Sequence, residues 1–215
     1  DVVGEDDLVL NDETYTNAHG DEFTISMFKY YVSNVSLVKA DGSKYTIPES
    51  YFLIDAADED SHLQTLENIP AGDYTAISFT IGVDSVRNSS GAQTGALDPA
   101  KGMFWDWDTG YIFVKFEGNS PKSTAPGNKL TFHIGGAKPP NNTIRTTTQS
   151  FNGDVLRVRS NSKPQIHLAA NAAALFTGTT DIDFATLSVT ISGANSVIVA
   201  NNYVNSFLTV EHLHN

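Results

Sequence analysis

The run LTVEHLHN places His212 and His214 two residues apart. In an extended segment residues i and i+2 share one side, so both imidazoles could chelate a single copper or zinc ion, which neutral imidazole suits. An exposed tail also shows such spacing by chance. His133, in the apolar run Leu130–Ile134 (LTFHI), is a third candidate nitrogen, although a hydrogen-bonded core histidine explains that position as well. His19, His62 and His167 have no ligand-like neighbours at useful spacing in the sequence. The chain has six histidines and no cysteine, which rules out thiolate metal sites and cysteine nucleophiles.

A second constellation is MFWDWDTGYIFVKFEG, Met103–Gly118, which holds both tryptophans, Trp105 and Trp107. Its Asp108-Thr109-Gly110 break between aromatic and β-branched runs predicts a hairpin. Alternation then puts Trp105 and Trp107 on one face and Asp106 and Asp108 on the other. Two readings stay open: indoles that fill a core, or a paired platform for stacking a glycan or docking a protein, with the acid face suited to calcium. Asp58-Glu59-Asp60 and Asp181-x-Asp183 could also hold calcium, but they lack the oxygen spacing of an EF-hand loop. There is no Gly-x-Ser-x-Gly elbow, His-Glu-x-x-His pair or phosphate loop, so the chain reads as a binding or structural protein and not as an enzyme.

The elements that must carry these residues are short strands. Phe23–Lys39 is the longest β-type run, with a bulge or corner expected at Ser33-Asn34. Tyr74–Val83 predicts a strand whose buried face is Thr75, Ile77, Phe79, Ile81 and Val83. Leu8–Leu10, Lys44–Ile47, Tyr51–Ile54, Leu130–Ile134, Thr143–Ser150, Val155–Val158 and Gln165–Leu168 add further strands. Ala169–Phe176 (AANAAALF) is the one plausible helix, and Asp181–Phe184 could start another turn. Ser196–Phe207 fits helix or strand equally. Turns at this frequency indicate an all-β fold, an antiparallel β-sandwich with long loops and one or two short helices. The even texture of 215 residues at 40% hydrophobic content suggests a single domain over 1–215, with residues 1–22 forming an N-terminal strand and acidic loop.

A net charge of -12 repels phosphate backbones and anionic membrane surfaces. No apolar run approaches the about 18 residues of a membrane span. The start at Asp1, without a basic and apolar leader, suggests that a signal or lipoprotein segment has been removed, and a monomer is expected.

The runs FKYYVSNVSL, YTAISFTIGVDSVRN, GALDPAKGMFWDWDTGYIFVKFEG, FHIGG and EHLHN, in that order, resemble the MbnP-like proteins. These are methanobactin-associated periplasmic proteins, with relatives among the MopE and CorA surface copper proteins of methane oxidisers. The resemblance implies an exported β-sandwich, periplasmic or attached at the cell surface, that binds copper. It also implies a kynurenine, formed from Trp105 or Trp107 by a partner dihaem enzyme related to cytochrome c peroxidases, that ligates the metal beside histidines. His133, His212 and His214 fall in the matching segments. In the copper-binding relatives a histidine stands two residues from the modified tryptophan, whereas Trp105 has Met103 and Trp107 there.

Overall fold

The computed structural model describes residues 1–105, 110–204 and 206–215. Asp106, Trp107, Asp108, Thr109 and Asn205 lie outside the described residues, and with them the expected hairpin turn and every expectation placed on Trp107. The strands that position the candidate residues are β1 (Glu22–Val38), β2 (Ala76–Ile81), β3 (Val114–Asn119), β4 (Lys129–Ile134), β5 (Arg145–Ser150), β6 (Gln165–Ala170), β7 (Val189–Ile191) and β8 (Leu208–His214). The fold is all-β and sandwich-like. Its main sheet runs β5-β2-β1-β3-β4-β7, while β6 and β8 pair with each other as a separate ribbon. All main-sheet neighbours are antiparallel except β4 and β7, which run parallel.

β1 organises the rest because it is shared along its length. Lys29 and Tyr30 pair with β3 on one edge and with Tyr51–Asp55 on the other. Val32 and Ser33 still pair with Tyr51–Asp55 but now also with β2, so β2 takes over the edge that β3 leaves. Tyr31 is the changeover point. Its N–H donates to the Phe113 carbonyl, and its own carbonyl accepts from the N–H of Gly82, each at 2.9 Å. The register shift between Ser33 and Ser36, with Asn34 at φ 52°, is the irregularity that the sequence led one to expect there. A bulge bends its strand, which lets one strand serve two diverging partners.

The core divides accordingly. The larger cluster is built on Phe23, Phe28, Phe116, Phe132, Phe176 and Phe184, and the smaller on Tyr31, Met103, Trp105, Tyr111 and Phe113. Every residue of β2 is buried, so both of its faces are covered, not only the alternate face expected from the sequence.

Three local expectations are corrected. Ala169–Phe176 is not a helix: β6 continues to Ala170, opposite Leu208, and only a short 3-10 turn, Ala172–Leu175, follows, capped by the Asn171 side chain. Alanine's helix preference is weak beside strand pairing and burial. The Asp181–Phe184 segment is likewise not helical. The ambiguous Ser196–Phe207 run contributes to the helix Ala194–Tyr203, whose buried Ser196, Val199, Ala200 and Tyr203 recur at i, i+3, i+4 and i+7. Near the start, Val2–Val3 pairs with Asp6–Asp7, and Leu8–Leu10 is not a strand. No helix among the described residues is long and apolar enough to cross a membrane.

Candidate metal centre

β6 and β8 bring three histidines together. In their register His167 stands opposite His212 and Gln165 opposite His214. The rings of His167 and His212 stack with centroids 4.2 Å apart and planes 17° off parallel. His214 stands edge-on to both, at 4.9 and 5.0 Å. One ring nitrogen from each lies within 4.8 Å of the others. His212 and His214 are exposed and His167 is half-buried, so solvent reaches the group.

The sequence obscures this arrangement in two ways. His167 has no neighbour with ligand chemistry along the chain, because its partners lie across a strand pair. In β8, moreover, Leu208, Val210, His212 and His214 all have the same parity, so regular alternation would send core residues and ligands to one face. The register shift resolves the conflict. Val210 pairs with Leu168 and His212 with His167, leaving Glu211 as the extra residue of a bulge. Val210, Leu213, Ile166 and Leu168 can therefore pack against the larger core cluster while the histidines turn outward. The change of parity within VEHLH is the signal that would have revealed it. Asn215 fixes the end of the ribbon, accepting from the Arg157 N–H at 2.6 Å and donating to the Val155 carbonyl at 3.1 Å.

The electrostatics favour ligation. Desolvation, followed by the neighbouring His212 and His214 rings, holds the His167 imidazole below its ordinary pKa, against an opposing pull from Glu211. A neutral ring keeps its lone pair for a metal. Three imidazoles without thiolate suit copper or zinc, leave room for a further ligand from solvent, and fit poorly with calcium or magnesium.

His133 is placed elsewhere. On β4 it faces Lys115 across the ladder, and its Nε2 lies 2.8 Å from Glu117 Oε1, which is also 3.7 Å from Lys115 Nζ. Burial, the largest cause, together with the neighbouring Lys115 charge holds the His133 pKa below its ordinary value against the upward pull of Glu117. The lowered value means that His133 adds stability above its ordinary pKa near 6.5, and that this is lost as pH falls below it. In Glu117→Gln the opposing charge is gone, so the ring should titrate at still lower pH, which NMR of the imidazole protons would read. A pKa that rises instead would show that burial is not the controlling cause.

Trp105 is 7% exposed and belongs to the smaller core cluster, whereas the ribbon packs on the larger one. Gly135 makes room for it: a Cβ there would lie 2.6 Å from the indole Cη2 and 2.6 Å from the Tyr111 carbonyl oxygen. A buried indole offers no open face for stacking a sugar.

Residues 1–196 match the family model for MbnP, a segment that includes His167 and ends before His212 and His214. The structure is similar to that of MbnP from Methylosinus trichosporium, with a TM-score of 0.55 and 15% identity, over 90% of this chain and 80% of that one. No curated protein matches. At 15% identity the structural likeness bears on fold alone, but the family model spans most of the sequence, and the chain belongs to the MbnP family.

Proposed function

We propose that this chain is an exported, non-enzymatic copper-binding protein that holds the ion through His167, His212 and His214. The convergence of three imidazoles within 4.8 Å on an accessible face is the observation that carries this reading. Family membership favours copper over zinc, as does the general order of affinity, in which Cu(II) exceeds Zn(II) at nitrogen sites. His133 has no part in this ligand set, being engaged with Glu117. The intact Trp105 indole is likewise left out of the set proposed here, because its ring is packed against Gly135.

Copper titration against a competing chelator tests the reading. The wild-type chain should take up one equivalent at this site, and His167→Ala should lower the affinity of that site by at least about 100-fold, since losing a ligand should cost no less than losing the groups that merely orient one. Binding should weaken as pH falls through the histidine range, because a protonated imidazole cannot ligate. Unchanged affinity in a variant lacking all three histidines would refute the assignment.

A further inference from the structure

We infer that the chain has a second metal site, for a zinc-class divalent cation, formed by His19, Asp21 and Asp183. A ligand atom from each lies within 4.8 Å of the other two. The residues come from opposite ends of the sequence and are brought together by two interlocked loops. The Asn17 side-chain amide donates to the Ile182 carbonyl at 2.9 Å, and the Phe184 N–H donates to Asp21 Oδ2 at 2.9 Å. Each loop is also braced internally. The Asp21 N–H donates to Asn17 Oδ1, and the N–H of Ala185 donates to Asp183 Oδ1, both at 2.8 Å.

On this frame His19 Nδ1 is 3.6 Å from Asp21 Oδ2, close to the donor–donor edge of about 3.3–3.5 Å that a tetrahedral ion with bonds of about 2.0–2.2 Å requires. A simple His–Asp ion pair would account for that distance but not for Asp183. A single protonated imidazole neutralises one carboxylate, whereas two converge here, in a chain whose net charge is already -12. The Asp21 side chain is only 4% exposed, and its Oδ2 accepts from the Phe184 N–H while facing His19. A buried carboxylate calls for neutralising and hydrogen-bonding partners, and a divalent ion supplies the missing charge.

The donor set indicates the class of ion. One imidazole disfavours calcium and magnesium, and two carboxylates disfavour Cu(I), which leaves borderline divalent ions such as zinc. His19 is about half exposed, so an ion can approach from solvent and keep a water as its fourth ligand. The site differs from the three-histidine group in every residue. It would clamp the turn leading into β1 against the loop bearing Phe184, whose ring meets that of Phe23 at 5.6 Å.

The test uses the full chain carrying His167→Ala, His212→Ala and His214→Ala together, so that its outcome is independent of the copper reading. Zinc titration followed by calorimetry and by thermal unfolding should show one equivalent bound and a midpoint that climbs with zinc concentration, as a ligand specific to the folded state requires. Adding His19→Ala or Asp183→Asn should each reduce the affinity at least tenfold, and cobalt bound in place of zinc should give tetrahedral absorption bands. No zinc binding in the triple variant would overturn the inference. So would binding undiminished by the second substitutions, or stabilisation by calcium in preference to zinc.

Discussion

Phe176→Ala is expected to destabilise the fold by about 3–5 kcal/mol, the range for deleting a buried aromatic ring. Phe176 is fully buried at the centre of the larger cluster. Its ring meets Phe116 and Phe184 at 4.9 Å, Phe132 at 5.1 Å and Phe23 at 5.6 Å, mostly edge to face. Such pairs add about 0.5–1.5 kcal/mol each beyond the area they bury. Four stiff rings cannot collapse into the space left behind, so the cavity penalty should be near the top of its range. Against a typical total of about 5–15 kcal/mol, the variant would keep only part of its stability. Urea unfolding should show a lower midpoint at unchanged slope. A loss under about 1 kcal/mol would mean that the Phe cluster repacks freely, contrary to the dense interior proposed for it.

The second large effect is expected from the smallest change. Gly118 pairs with Ile25 beside a register shift, and a Cβ at that position would lie 2.0 Å from the Thr24 carbonyl oxygen. The obstacle is backbone and cannot rotate away. Gly118→Ala must therefore open the end of the β1–β3 ladder, combining an overpacking cost of about 1–3 kcal/mol with lost hydrogen bonds at about 0.5–1.5 kcal/mol each. We expect a total of about 2–4 kcal/mol on those terms. Amide exchange at Thr24 and Asn119 should accelerate more than the global loss of stability explains. Equal protection in both proteins would show that the ladder accommodates the methyl group.

These two positions illustrate what the sequence could reveal. The β-rich texture, the Ser33-Asn34 irregularity and the family resemblance were legible because each is a local pattern of residue types. The requirement for glycine at 118 was not, since it is imposed by a carbonyl from a strand far away in the chain. The candidate site divides in the same way. His212 and His214 advertise themselves by spacing, but His167 becomes a neighbour only through the pairing of β6 with β8. His133 looked equivalent to them in one dimension and is claimed by Glu117 in three. The AANAAALF segment departs from alanine's intrinsic helix preference because the strand bearing Leu208 pairs opposite Ala170. The helix around Val199 shows in its apolar spacing, a signal that its β-branched content opposes.

The separate pairing of β6 and β8 also bears on how an ion would leave. The three nitrogens come from both strands of one ribbon, and none comes from the main sheet. Two-stranded ribbons are marginal on their own, and here the inner face is what anchors this one to the body. Parting the ribbon would thus separate His167 from the other two ligands while the six-stranded path of the main sheet stays closed. Release then becomes a matter of local opening, with a barrier set by a few cross-strand bonds and not by the stability of the whole domain. An ion held between these two strands could leave while the rest of the domain stays folded.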